Sequence, residues 1–143
     1  MQATIQPLSY KATVAKIIRL AKGYREDVAE FSNFFQLYNY VRNLDYKRDP
    51  IGKEVVSRFR YTKDNSYPIR DCDDKTVPLI SFAYHKKIPC RIAVCGVDDK
   101  PHHVYPEVKL ADIWLPADAT YKDRCVFGKR LYNENYREIF EVN

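Results

Sequence analysis

PCRIAVCGVDDKPHHVYPEVKLADIWLP, residues 89–116, carries three short runs that read as β-strands. Arg91 to Gly96 is a compact apolar run, His103 to Leu110 alternates sides, and Ile113 to Pro116 forms a third. Asp98-Asp99-Lys100-Pro101 is the turn between the first two. Pro106 has no N–H to give to a ladder, so an edge or a bulge is expected there. Three successive strands with short connections make an antiparallel sheet.

Upstream the period changes. A helix is expected from about Asp71–Asp74 through Leu79, Ile80, Phe82 and Ala83 to about Lys86. Pro78 removes one of its hydrogen bonds and crowds the turn before it, so an irregular first turn is expected. Tyr10, Val14, Ile17, Ile18 and Ala21 recur at helical spacing and stop at Gly23. Val28, Phe31, Phe35, Tyr38, Val41 and Leu44 give a second helical stripe. Asp49-Pro50 and Gly52 signal a loop, and residues 53–70 are polar and irregular. Downstream, Tyr121 to Asn143 shows no clear period, with Glu134 to Phe140 a candidate short helix. Helices followed by an antiparallel sheet define an α+β domain, with N-terminal helices packed on the sheet.

The 143 residues fit a single domain, and 45% hydrophobic with 30% charged residues is globular composition. Twelve Tyr and seven Phe supply bulk for a core. The net charge of +5 is spread along the chain, so nucleic acid is not an expected partner. No apolar run reaches bilayer length. The start, MQATIQP, has no basic-then-apolar pattern, and the expected location is therefore the cytoplasm, or a virion if the chain is virus-encoded. The four cysteines show no tight pair spacing, which fits a reducing compartment. Cys90 and Cys95 sit in the apolar strand and read as small buried hydrophobes.

Cys72 is different. It opens the helix in Asp71-Cys72-Asp73-Asp74-Lys75-Thr76, where unpaired N–H groups and the helix dipole favour a thiolate. The flanking carboxylates oppose that. A cysteine so placed serves structure more often than chemistry, but it has potential partners here. His102 and His103 open a strand, and Asp118 follows the next one, so adjacent antiparallel strands can set His103 beside Asp118. A helix end carrying Cys72 can pack against that edge, giving nucleophile, base and orienting carboxylate.

The segments Asp71-Cys72-Asp73-Asp74-Lys75-Thr76, Ile88-Pro89-Cys90-Arg91, His103-Val-Tyr-Pro-Glu107-Val108 and Trp114-Leu-Pro-Ala-Asp118-Ala-Thr120 resemble the transglutaminase-like core in order and spacing. Tyr40 to Pro50 resembles the helix end and loop that precede the cysteine in that family. The resemblance covers about residues 40–120, within a single domain spanning 1–143 whose N-terminal helices occupy 10–45. It implies a papain-like arrangement with Cys72 as nucleophile, His103 as base and Asp118 as orienting carboxylate. His103 rather than His102 matches the family histidine, since it stands four residues before Glu107. His102 is expected to line the cleft or lie on the surface, and His85 to be solvated. Where the family has glycine, this chain has Arg70, expected to narrow the groove or select acidic substrates, and Lys87, expected to matter only for a turn.

The expected chemistry is attack of Cys72 on an amide carbonyl, with a thioester resolved by water. The oxyanion would meet the Cys72 N–H and an upstream donor, for which Tyr46 is the candidate. The substrate class is a peptide or protein, or the peptide cross-bridges of peptidoglycan if the chain comes from a bacterial virus. Resolution by a lysine amine would instead make a cross-linking acyl transferase. A different class of reading is a non-catalytic structural or binding module of a larger assembly such as a virion, docked through its aromatic-rich N-terminal helices. Zinc held by Cys72, His103 and Cys90 or Cys95 has poor ligand spacing, and neither a metal nor a cofactor is expected.

Overall fold

The computed structural model describes residues 2–48 and 55–143. The expected loop at Asp49-Pro50 and Gly52 lies outside them. Helix α1 spans Gln2–Gly23, a 3-10 turn Arg25–Val28, α2 Phe34–Asn43, α3 Phe59–Thr62 and α4 Cys72–His85. Strands β1 (Cys90–Gly96), β2 (His103–Leu110), β3 (Ile113–Pro116) and β4 (Tyr136–Glu141) follow. All pairings are antiparallel, in the order β3-β2-β1-β4. The chain is thus an α+β domain.

Helix α4 is the central element. Every residue from Asp73 to Ala83 is buried, because α1 and α2 pack on one side of it and the sheet on the other. Val14, Ile17 and Ala21 face it from α1, and Ile92, Val94, Val104 and Val108 from the sheet, all in one core. Its N-terminus is closed by a capping box: Asp71 accepts from the amides of Asp73 and Asp74, and Asp74 accepts from the Asp71 amide. With that cap the helix begins cleanly at Cys72, and Pro78 lies inside it without ending it.

Two elements differ from their sequence reading. The second stripe is broken into the 3-10 turn and α2, because Asn33 caps α2 by accepting from the Gln36 amide at 2.9 Å. That register buries Phe34 and leaves Phe35 exposed. The tail contributes a strand, β4, instead of a helix at Glu134 to Phe140; it pairs with β1 along its length. Pro106 lies in an interior strand. Its carbonyl accepts from the Ala117 amide at 2.8 Å, so the missing N–H faces the point where β3 ends and no β1–β2 bond is lost.

The outer face of the sheet is tied by charge. Glu107 is buried and accepts from Arg91 at 2.8 Å and from Arg137 at 2.6 Å, which joins β1, β2 and β4.

Candidate active site

One end of the sheet collects the start of β2, the ends of β1 and β3, and the N-terminus of α4. There His103 Nε2 lies 2.6 Å from Asp118 Oδ2. The Asp118 side chain is 1% exposed and that of His103 8%. Thr120 holds the other carboxylate oxygen, Oδ1, through its amide at 3.0 Å and its hydroxyl at 2.6 Å. Tyr38 from α2 donates to the Asp118 carbonyl at 2.7 Å. Burial works to raise the Asp118 carboxyl, but the His103 bond and charge and the two Thr120 bonds outweigh it and hold the group below its ordinary range. An ionised Asp118 makes Nε2 the protonated nitrogen of neutral His103 and leaves Nδ1 as the basic one.

Cys72 is half-buried in the first turn of α4. Its thiol donates to Asp73 Oδ1 at 3.7 Å. Burial, then the charges of Asp73 and Asp71, push the thiol well above its ordinary value, while the backbone N–H of Val104, next to His103, pulls weakly the other way. Cys72 does open the helix as read from the sequence, and the flanking carboxylates oppose the thiolate as expected. Burial and the two carboxylates thus favour the thiol over the thiolate. No hydrogen bond joins it to an imidazole among the described residues.

Tyr46 is 40% exposed and packs on Tyr121 with ring centroids 5.0 Å apart. Burial raises its hydroxyl pKa, followed by the fields of Tyr121, Cys72 and Asp71, which places it in the neighbourhood of the thiol. His102 is exposed and its amide donates to the Cys95 carbonyl at 2.8 Å. Arg70 corrects its reading. It is 1% exposed, and its guanidinium is spent on the carbonyls of Thr62 (2.7 Å), Asp45 (3.3 Å) and Asp64 (3.1 Å). It therefore offers no charge to a substrate and braces the loops before α4 instead. His85 is half-buried, with Nε2 3.2 Å from the Ala21 carbonyl, and is not the solvated residue expected.

Sequence reasoning missed Lys75 and Tyr132. Lys75 is buried, with its ammonium on the carbonyls of Leu44 (2.6 Å), Ala119 (3.2 Å) and Thr120 (2.9 Å). It bolts the Asp118 segment to the helix that carries Cys72. Desolvation lowers it to about 8. Tyr132 stacks obliquely on His103 at 6.2 Å and approaches Cys95 Sγ at 3.6 Å. Neither contact is local in sequence, so no motif announces it.

Compared with protein-family models, with curated proteins and with solved structures, the chain finds no match. Among the described residues, no group of three His, Cys, Asp or Glu side chains is arranged to hold a metal ion. Cys90 and Cys95 sit buried at opposite ends of β1. No described helix is long and apolar enough to cross a membrane.

Proposed function

We propose that this chain is a transglutaminase-like cysteine hydrolase that cleaves an amide bond through a thioester on Cys72. The observation that carries the reading is the 2.6 Å bond from His103 to the buried Asp118 at the sheet end that also holds the thiol. A histidine fixed by a sealed carboxylate has one nitrogen committed and the other available as a base. Because the thiol is favoured over the thiolate, proton transfer to His103 Nδ1 accompanies attack on the carbonyl carbon. The Cys72 N–H lies outside the Asp71 cap and can donate to the developing oxyanion, with Tyr46 as a second donor. The imidazolium then protonates the leaving amine as the carbon–nitrogen bond breaks. Water, deprotonated by His103, hydrolyses the thioester and returns the thiol. A peptide or protein is the proposed substrate class. A lysine amine in place of that water would give cross-linking.

A second reading, a non-catalytic module that keeps this fold, is favoured by a thiol held above its ordinary value and by the lack of a Cys72–imidazole bond among the described residues. One experiment separates the two. With p-nitrophenyl acetate in excess, an enzyme releases a stoichiometric burst of p-nitrophenol and carries an acetyl group on Cys72 by intact mass. We expect the burst to vanish in Cys72→Ala and to slow at least about a hundredfold in His103→Ala. Equal release by wild type and Cys72→Ala would leave the scaffold reading in possession.

A further inference from the structure

The outer side of α2 carries a row of uncharged polar side chains. In a chain with 30% charged residues, it presents Gln36, Asn39, Tyr40 and Asn43, all exposed and three or four residues apart on one helix face. Together with Asp45 and Asn65 they line a groove of about 560 Å³. Gln36 Oε1 accepts from the Ser32 amide at 2.6 Å, and Asn43 Nδ2 donates to the Asn39 carbonyl at 2.8 Å. Their remaining amide groups, a donor on one and an acceptor on the other, are left for a ligand. The Asn39 side chain has no intramolecular partner among the described residues. Tyr40 is held edge-on by Phe31 at 5.2 Å and Phe59 at 6.2 Å, so its ring is a fixed platform that stays 39% exposed.

Carboxamides set a donor and an acceptor side by side, which matches neighbouring hydroxyls, and an aromatic ring covers the C–H face of a pyranose. Among the described residues, Asp45 is the one charged residue lining the groove; it lies 3.6 Å from Lys122, and the Arg70 guanidinium behind the wall is taken up by the Asp45 carbonyl and Asn65 Oδ1. An α-helix has no free backbone edge to pair with an extended peptide. Strand addition of a peptide is thereby ruled out, and the uncharged carboxamides beside an exposed ring suit a neutral, hydroxyl-rich chain. Location adds to this: Asp45 at the end of the groove runs straight into Tyr46, the neighbour of the Cys72 thiol.

We propose that the α2 groove binds a saccharide, and, resting on the hydrolase reading, that the amide presented to Cys72 is carried on a sugar chain. Binding is testable without catalysis. Chitotetraose and maltotetraose are titrated into ¹⁵N-labelled wild type and Cys72→Ala, following the side-chain amide signals of Gln36, Asn39 and Asn43. At least one sugar should give saturable shifts there, equally in both proteins. The double variant Asn39→Ala with Asn43→Ala, at exposed positions that leave the fold intact, should weaken binding about fivefold or more. No saturable shift, shifts elsewhere, or unchanged affinity in the double variant would overturn the proposal. So would tighter binding of tetra-alanine at the same signals, which would make the groove a peptide site. Failure of the acetyl-enzyme burst with intact sugar binding would remove the hydrolase and leave the saccharide site.

Discussion

At the scale of single residues, the chemistry turns on who holds the thiol proton. Cys72 opens a helix and has two acids beside it, and burial with those acids favours the thiol. Asp73 is the residue to change, since it both accepts from the thiol and supplies the largest opposing charge. Asp73→Asn keeps an acceptor oxygen in the same shape and deletes the charge. Iodoacetamide labelling of Cys72 at neutral pH should then accelerate, by about threefold or more. An unchanged or slower rate, with an unchanged urea midpoint, would show that Asp73 does not set the thiol. Arg70 and Lys75 teach a related lesson. Both stand in a polar, charged stretch, yet both are buried with their donors on main-chain carbonyls. Charge in the sequence announces water, and only the folded loops reveal the carbonyls that take water's place.

At the scale of elements, α4 and its ends explain most of the layout and offer a clean test. The helix closes in a Schellman motif: the Lys87 amide donates to the Tyr84 carbonyl at 3.1 Å and the Ile88 amide to the Ala83 carbonyl at 2.8 Å. That motif puts Lys87 at φ 62°, left-handed backbone that a side chain resists. Lys87 is exposed, so Lys87→Gly should stabilise by about 1 kcal/mol and raise Tm by roughly 3 °C. A fall in Tm would mean that the lysine side chain contributes more than its backbone costs. The β2–β3 turn is built from Ala111 and Asp112, both at positive φ, with no glycine to mark it. The hairpin was nonetheless legible from the alternation on either side. The side-by-side placement of His103 and Asp118 was legible too, since it needs only neighbouring antiparallel strands. The register of α2 was obscured because Phe34 and Phe35 are equally apolar, and the Asn33 cap decides between them. β4 was hidden for a different reason. Tyr136 and Phe140 pack on the core beside Glu138, while Ile139 packs on the opposite side beside Arg137, so each face mixes apolar and charged residues and the strand shows no alternation.

At the scale of the whole molecule, this small domain buries several thiols, a lysine and tyrosines, and its stability should depend on pH accordingly. Burial raises Cys90 and Cys95 to about 12 and Cys125 to about 11, and Cys72 lies well above its ordinary value. Above the ordinary thiol range the unfolded chain has released protons that the folded chain keeps. Stability therefore falls as pH rises, by about 1.4 kcal/mol per pH unit for each thiol fully separated in this way. Lys75 acts in the opposite sense. Held down to about 8, it loses its proton in the folded state first, and between there and the ordinary lysine range stability gains from it. One such gain offsets one thiol of the four. Burial also raises Tyr38 and Tyr105, which steepens the loss above the ordinary phenol range. Urea unfolding followed under reductant should show midpoints dropping steadily from about pH 9 upward, with the slope of several protons. A profile level across that range would mean that the thiols ionise as readily folded as unfolded. The sealed interior that also shields the His103–Asp118 pair would then not exist.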